Sequence, residues 1–278
     1  MSPDSIIVKS YAKINLFLKI TGNLPNGYHS LYSIFQEIDL HDTLRFTPST
    51  EFEFISNHAG LNSENNNLCV RAYREMKKYA PASSNFRIQL DKKIPLAAGL
   101  GGGSSNAASV IKFLNREWKI HFPNEKLISV AKDISADAPF FIEGKTQIAE
   151  GIGDILKPVK LPESFILLLV CPNIKISTPW AYSEIDLTMN KENFNFDPLF
   201  GNERIYWELF ENQFESVVFP AYPEVGRVKE HLLDEGAIYA GLSGSGSTVF
   251  GVYKNRKEAL RVSQCFNSFT TFITLPIF

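Results

Sequence analysis

Cysteine is scarce in this 278-residue chain, and long apolar runs and an excess of charge of one sign are absent. Its three cysteines, Cys69, Cys171 and Cys265, are odd in number and far apart. Neither a disulfide framework nor a cysteine-based metal site is therefore expected. We interpret the three side chains as buried free thiols of a protein in a reducing cytoplasm.

The apolar runs are too short to form a membrane span. The longest, residues 165–171, falls far short of the roughly 20 residues that cross a bilayer. The N-terminal stretch lacks the layout of a signal peptide, because Asp4 comes early and Lys9, Lys13 and Lys19 interrupt the apolar positions. We therefore expect a cytoplasmic protein that has no membrane partner.

Charge is nearly balanced, with 28 basic and 30 acidic side chains. This balance leaves no basic field for nucleic acid, and a small-molecule partner fits better. The length predicts roughly two domains, and a globule of this size buries enough apolar surface to fold without metal or disulfide. The sequence carries no signal for the oligomeric state.

Hydrophobic periodicity predicts strands and helices that do not alternate strictly, which favours an α+β fold in two domains, 1–160 and 161–278. The predicted strands are 5–20, 31–48 and 85–90, with hairpins over 140–159 and 237–252. The predicted helices are 65–79, 106–118, 125–134, 223–235 and 258–268. Residues 161–164 are the best candidate for a linker.

A dense glycine run is the strongest chemical signal. Every residue from Gly99 to Gly103 except Leu100 is glycine, and a periodic helix follows. Such a loop lets backbone N–H groups approach an anion, to which the helix N-terminus adds its positive dipole end. Ser104 and Ser105 can cap that helix or reach a phosphate or its metal. The pattern predicts a phosphate-binding loop, and a flexible turn is the alternative.

Two common phosphate motifs do not fit this loop. No Gly-Lys-Ser/Thr follows it, which excludes a Walker A motif. A dinucleotide fingerprint needs an acidic residue at the end of a second strand about 20 residues on, and that region here is predicted to be helix and loop.

The loop resembles the ATP-binding loop of the GHMP kinases. Two further segments match that family in the same order, Ala12–Leu18 (Ala-Lys-Ile-Asn-Leu-Phe-Leu) and Gly241–Thr248 (Gly-Leu-Ser-Gly-Ser-Gly-Ser-Thr). The resemblance implies a ribosomal protein S5 domain 2-like N-terminal domain, a ferredoxin-like C-terminal domain and a site in the cleft between them. The resemblance also implies that every residue of the loop binds ATP: Pro95, Leu96, Ala97, Ala98, Gly99, Leu100, Gly101, Gly102, Gly103, Ser104 and Ser105.

Two shorter elements narrow the resemblance within the family. They are Asn26-Gly-Tyr-His29, followed by Leu31, and Ala136-Asp-Ala-Pro139. Together they are similar to the branch that phosphorylates the 2-hydroxyl of a cytidine diphosphate derivative of methylerythritol, in the non-mevalonate isoprenoid pathway. That branch implies ATP as phosphoryl donor, with Mg²⁺ to offset phosphate charge.

The resemblance also assigns the reacting groups. Taken alone, Asp137 is explained as well by a helix cap and Lys13 by an edge-strand lysine. In this family Asp137 becomes the catalytic base, and Lys13 keeps that carboxylate ionised and stabilises the transferred group. Asn15, two residues further along a strand, lies on the same side as Lys13 and is implied to bond the substrate diol.

Aromatic residues are implied to bind the cytidine. Tyr28 would stack on the cytosine, His29 would read the base edge, and Tyr182 stands where the family has a second aromatic. The alternative for Tyr28 and His29 is a loop aromatic that packs on its own domain.

Asn67, Leu68 and Lys92 are candidates for the adenine pocket, and each is explained equally well as a helix or strand-end residue. Two other functions stay open. A homoserine or phosphomevalonate kinase of the same family would not need an aromatic cytidine clamp. A non-catalytic nucleotide-binding module would not need Lys13 and Asp137 together.

Overall fold

The chain divides into two compact units, each discontinuous in sequence. A computed structural model describes residues 5–24, 27–62, 67–80, 84–162, 164–186, 196, 199 and 204–278. Unit 1 takes its described residues from Met1–Ala12, Leu40–Leu96 and Gly101–Gly144, and unit 2 from Lys13–Asp39, Ala97–Leu100 and Lys145–Phe278. The domain boundary at 160 stays a prediction, and Glu163 of the proposed linker lies outside the described residues.

The strands predicted near the N-terminus are present and longer than expected. They are β1 (Ile6–Asn23), β2 (His29–Ser49) and, further along the chain, β4 (Asn85–Asp91). The short β3 (Glu53–Ser56) was not predicted. In unit 1, β4 pairs antiparallel with Thr43–Ser49 of β2 and parallel with β3. Phe86, Ile88 and Leu90 alternate with exposed residues along β4, so one face of this strand lies in the core.

Helices cover that face. They are α1 (Leu68–Lys77), α2 (Gly102–Glu117), α3 (Asn124–Ile134) and α4 (Phe140–Glu143). Phe113 of α2 stacks on Phe46 of β2, with ring centroids 3.6 Å apart, and meets Phe86 edge to face. The three long helices confirm the sequence prediction. Helix α2 begins inside the glycine run, four residues before its predicted start. Hydrophobic periodicity missed this start because glycine has a low helix propensity.

One part of the hairpin predicted over 140–159 is wrong. Phe140, Phe141 and Ile142 are all buried and form α4, and Gly144 ends this helix with φ +70°. Consecutive buried residues fit a helical turn better than a strand with one solvent face. The remainder is the expected antiparallel hairpin, β5 (Thr146–Glu150) and β6 (Ile155–Pro158), and β5 also pairs with Ser33–Gln36 of β2 in unit 2.

A second sheet of four antiparallel strands lies in unit 2. Its strands are β7 (Ile166–Cys171), β8 (Tyr239–Leu242), β9 (Val249–Tyr253) and β10 (Thr270–Thr274), in the order β10-β7-β9-β8. Its helices are α5 (Thr178–Ser183), α6 (Glu215–Ala221), α7 (Pro223–Asp234) and α8 (Arg256–Ser263). This β-α-β-β-α-β arrangement is ferredoxin-like, as expected.

The interior of this sheet is apolar, with Leu168 and Val170 of β7 in one cluster with Val228, Leu232 and Val262 of the helices. No helix in the described part of the chain is long and apolar enough to cross a membrane.

The prediction that every thiol is buried is wrong at one position. Cys69 and Cys171 are buried and free, whereas Cys265 is exposed. Cys265 lies in a single 3-10 turn after α8, and in that turn Phe266 supplies the buried side chain.

Candidate active site

The glycine run forms a tight connection that ends in the first turn of α2. Gly99 and Gly101 have φ values of +78° and +66°, in the left-handed region that glycine adopts without strain. Gly101 is the residue before the helix, and Gly103 is exposed in its first turn. The first N–H groups of a helix lack partners within the helix. This segment therefore has the geometry of an anion site.

Within unit 2, the loop residues Ala98 and Gly99 are hydrogen-bonded to the second glycine-rich segment, Gly241–Thr248. The Ser243 hydroxyl donates to the Gly99 carbonyl at 2.9 Å, and the Thr248 amide donates to the Ala98 carbonyl at 3.3 Å. A Cβ at position 99 would lie 2.0 Å from the Ser243 carbonyl oxygen. Asn212 holds this second segment by donating to the carbonyls of Leu242 and Gly244. The two glycine-rich segments are therefore joined by one side-chain and one backbone hydrogen bond.

Lys13 is a buried cation attached to the same loop. Its backbone amide donates to the Leu100 carbonyl at 3.0 Å, and the residue is 4% exposed. Its ammonium donates to Asn15 Oδ1 at 2.6 Å and lies 4.7 Å from the centroid of the Phe35 ring. Asn15 in turn donates to the Ser33 hydroxyl at 2.9 Å. The expectation that Lys13 and Asn15 share one side of β1 is confirmed.

Asp137 lies half-buried in the turn between α3 and α4, in unit 1. The residue at the N-cap of α4 is Pro139. Ser135, two residues earlier, donates from its hydroxyl to the Ser104 hydroxyl at 2.9 Å. The turn that carries Asp137 is thus bonded to the first turn of α2.

The aromatic candidates are partly brought together. The rings of His29 and Tyr182 stack with centroids 4.7 Å apart, and Phe214 meets Tyr182 edge to face at 4.8 Å. Tyr28, immediately before β2, is 55% exposed. Asn26 of the same motif lies outside the described residues.

The adenine candidates surround the start of α1 and α2. Asn67 caps α1 by accepting from the Cys69 amide at 2.8 Å. A Cβ at Gly103 would be 3.5 Å from Leu68 Cδ1, and one at Gly102 would be 2.7 Å from Lys92 Nζ. These side chains also have structural contacts within unit 1, so their roles toward ATP stay predictions.

Sequence reasoning missed Asp42, a fully buried residue of β2 that forms an ion pair with Lys92. It also gave no role to Asn212. A carboxylate inside an apolar strand is the one sequence signal that could have drawn attention to Asp42.

Burial controls the titration of the nearby thiol. Desolvation raises the pKa of Cys69 to about 12, while Lys92 lowers it and Asp42 raises it. A thiol held protonated in this way is a packing group and not a nucleophile.

Comparison with known proteins agrees with this arrangement. The family model described as "GHMP kinases N terminal domain" matches residues 67–145, and "GHMP kinases C terminal" matches residues 200–270. A 4-diphosphocytidyl-2-C-methyl-D-erythritol kinase of Prosthecochloris aestuarii (strain DSM 271 / SK 413) is 40% identical over 267 residues, which cover 94% of this chain and 93% of that protein. A protein of the same name from Chlorobium limicola (strain DSM 245 / NBRC 103803 / 6330) is 41% identical over 281 residues, covering 98% of both chains.

Solved structures give the same result for the fold. A crystal structure of 4-(cytidine 5'-diphospho)-2C-methyl-D-erythritol kinase superposes with a TM-score of 0.82 at 28% identity, covering 98% of this chain and 100% of that one. The mevalonate kinase of Methanococcus jannaschii shares the fold, with a TM-score of 0.69 at 16% identity and 99% of each chain covered. The predicted GHMP fold is therefore confirmed, and the chain belongs to the GHMP kinase family.

Proposed function

We propose that this chain is an ATP-dependent kinase that phosphorylates the 2-hydroxyl of 4-diphosphocytidyl-2-C-methyl-D-erythritol. It would be a phosphotransferase with an alcohol acceptor in the methylerythritol phosphate route to isoprenoid precursors. Relatives that carry this enzyme name, at 40% and 41% identity over nearly the whole chain, support the choice of acceptor.

One observation carries the proposal: a buried lysine is hydrogen-bonded to the glycine loop. The Lys13 amide donates to the Leu100 carbonyl, and its ammonium is held by Asn15. A cation bonded to this loop would stabilise the negative charge of phosphate that the loop binds.

The chemistry follows from the two groups attached to this loop. Loop amides and the N-terminus of α2 hold the phosphates of ATP. The acceptor oxygen forms a bond to the γ-phosphorus while the bond from that phosphorus to the β–γ bridging oxygen breaks, and ADP leaves. Asp137 takes the hydroxyl proton, and Lys13 stabilises charge on the attacking oxygen and the transferred group.

The other end of the acceptor is assigned to the aromatic residues. Tyr28 and Tyr182 would offer rings to the cytosine, and His29 would read its edge. Asn15 would bond the diol close to Lys13. Stacking supplies affinity for any base, so discrimination among bases depends on hydrogen bonds from His29 and nearby main-chain groups.

Mg²⁺ enters this proposal as part of the donor, Mg·ATP. Mg²⁺ prefers oxygen ligands and is bound in such sites largely by phosphates and water. Ser105, considered as a metal ligand, is 2% exposed and its hydroxyl lies 2.7 Å from the Ser10 hydroxyl. Among the described residues, the grouping with metal-ligand geometry is His231, Glu235 and Cys265, whose nitrogen and sulfur atoms suit softer metals.

A transfer assay tests the proposed function. Purified protein is incubated with Mg·ATP and, separately, with 4-diphosphocytidyl-2-C-methyl-D-erythritol, homoserine or phosphomevalonate, and phosphorylated product is measured. We expect product with the cytidyl acceptor alone. Product with another acceptor would keep the kinase chemistry and overturn the cytidine assignment.

An Asp137→Asn variant separates an enzyme from a binding module. The change keeps the size of the side chain and removes its basicity. We expect normal ATP binding and a fall in kcat of about 10²- to 10⁴-fold, the range for loss of a general base. Equal and negligible turnover in both proteins, with ATP still bound, would favour the module.

A further inference from the structure

Asp42 is the centre of a buried polar network in unit 1. Asp42 is 0% exposed. Its Oδ1 accepts from the backbone amides of Lys93 and Ile94, at 2.7 and 2.8 Å. Its Oδ2 accepts from the Lys92 ammonium and from the Asn106 side-chain amide, the latter at 2.9 Å. A carboxylate has about four acceptor positions, and these bonds occupy all of them.

These donors flank the predicted ATP-binding loop, residues 95–105, which contains the glycine run. Residues 92–94 follow β4 and lead into the loop, and Asn106 lies in α2 just after it. Asn106 also donates to the Ser10 hydroxyl at 2.9 Å, which lies 2.7 Å from the Ser105 hydroxyl. Asp42 therefore joins the segment that enters the loop to the helix that leaves it.

A loop made of glycine needs such support from outside. Glycine has no side chain to pack and loses more conformational freedom on ordering than any other residue. The backbone N–H groups that meet a phosphate must nevertheless be fixed in advance, because small displacements weaken such contacts steeply. Fixing both ends of the run limits the conformations of the residues between them.

Charge gives Asp42 a second effect. The Lys92 ammonium lies beside the first residue of α2, since a Cβ on Gly102 would be 2.7 Å from Nζ. A cation is unfavourable at the positive end of a helix. The Asp42 carboxylate offsets that repulsion and leaves Lys92 in place beside the loop, where its side chain is 5% exposed.

We propose that Asp42 is the positioning residue of the ATP-binding loop, which it holds at both ends while it neutralises Lys92 at the start of α2. Asp42 does not touch the nucleotide and acts through the backbone of 93–94, Lys92 and Asn106. The inference rests on the proposed function, because it assumes that the loop binds the phosphates of ATP.

The test is a kinetic comparison of Asp42→Asn with the unchanged protein. We expect KM for ATP to rise about 10- to 100-fold, as for a displaced binding group, and kcat and KM for the acceptor to change less than about 3-fold. A purely structural role would lower the amount of folded enzyme, and so the apparent kcat, without changing KM for ATP. That result would overturn the proposal.

Asp39→Asn is the matched control. Asp39 is on the same strand and also accepts hydrogen bonds, from the Leu275 amide at 2.9 Å and the Thr274 hydroxyl, but these partners lie near the C-terminus. Its loss is expected to reduce thermal stability and leave KM for ATP unchanged. An equal rise in KM for ATP in both variants would contradict a specific role for Asp42.

Ser10→Ala keeps the proposal testable if Asp42→Asn does not fold. It removes one hydroxyl between Asn106 and Ser105, and about a 5-fold rise in KM for ATP is expected for one hydrogen bond. An unchanged KM for ATP in Ser10→Ala would then overturn the proposal.

Direct titration with a non-hydrolysable ATP analogue, without acceptor, separates the two proposals. Weaker binding by Asp42→Asn supports the positioning role even if the unchanged protein phosphorylates no acceptor. If both proteins bind the analogue equally and the unchanged protein transfers phosphate normally, the positioning role is overturned and the proposed function stands.

Discussion

The ring of His29 stacks on the ring of Tyr182, with centroids 4.7 Å apart and planes inclined by 24°. The two residues come from distant parts of unit 2, the start of β2 and helix α5. Phe214 holds the Tyr182 ring from the side. A ring fixed on two sides would lose little freedom if a base stacked against it, which is the role that the proposed function gives to Tyr182.

Tyr182→Ala is expected to weaken binding of the cytidyl acceptor. A stacked base contributes about 1–3 kcal/mol, so KM for the acceptor should rise by about 5- to 150-fold while KM for ATP stays constant. Tyr182→Phe keeps the ring and should differ from the unchanged protein by less than about 2-fold. Steady-state kinetics with each substrate varied in turn measures both values. Equal effects of Ala and Phe would mean that the hydroxyl, and not the ring, binds the acceptor.

Lys13 and Asp137 are expected to act as one functional group. Lys13→Met and Asp137→Asn should each reduce kcat by about 10²-fold or more. The double variant should be little slower than the worse single variant, because residues that act in one step have non-additive effects. Single-turnover rates at saturating ATP measure the three variants.

Lys19→Met is the control for the Lys13 substitution. Lys19 is on the same strand, and its 3.7 Å ion pair with Glu211 is partly exposed to solvent. Loss of such a pair has little effect on stability, so kcat should not change. For the Lys13/Asp137 double variant, a reduction in kcat equal to the product of the two single reductions would contradict joint action.

Alanine substitutions at two glycines of the loop are expected to affect folding stability and ATP binding differently. Gly99→Ala places a Cβ 2.0 Å from the Ser243 carbonyl oxygen at φ +78°, so we expect a loss of about 2 kcal/mol or more in the free energy of unfolding. Gly103→Ala meets Leu68 Cδ1 at an ordinary 3.5 Å and improves helix propensity by about 1 kcal/mol. The melting temperature of Gly103→Ala should stay the same or rise.

ATP binding should nevertheless weaken in Gly103→Ala, because the added methyl stands on the exposed first turn of α2 that is proposed to meet the phosphates. Thermal unfolding and KM for ATP, measured on the same preparations, test both substitutions. Normal KM for ATP in Gly103→Ala would show that the phosphates do not approach this residue.

Local sequence predicted much of this arrangement, and tertiary contacts explain what it missed. The glycine run, helix α3 over Asn124–Ile134 and strand β4 follow from neighbouring residues. Helices α5 and α6 were given no bounds, since they have six and seven residues and each contains a proline. Short helices of this kind depend on packing more than on propensity.

The candidate site likewise contains some residues that local sequence could place together and others that meet only through tertiary contacts. Lys13 and Asn15 could be placed together because a strand repeats every two residues. The Asp42 network could not, since its donors at 92–94 and at Asn106 meet Asp42 only after β2, β4 and α2 have packed. The stack of His29 on Tyr182 likewise depends on the folding of unit 2.

The three thiols are expected to differ in reactivity. Burial raises the pKa of Cys69 to about 12 and that of Cys171 to about 11, whereas Cys265 is exposed. At pH 8 about one in 10³ or fewer of the buried thiols would be ionised, and only the thiolate attacks a disulfide reagent. One equivalent should therefore react in the native protein and three after denaturation. Cys265→Ser should remove the native reaction, and two or three fast equivalents in the native protein would contradict the burial.

The same pKa values predict how stability depends on pH. In the unfolded chain these thiols ionise near their ordinary value of 9.0, and in the fold they keep their protons to about pH 11 or 12. Above pH 9 the unfolded state thus binds fewer protons than the native state, so the free energy of unfolding must fall as pH rises. Buried Tyr239 and Tyr253, whose pKa values desolvation also raises, add to this loss above pH 10. Urea unfolding between pH 8 and pH 11 measures the slope, which Cys69→Ala should reduce. This variant also lowers stability at every pH by opening a cavity. A stability that stayed level across this range would mean that water reaches the buried thiols in the native protein.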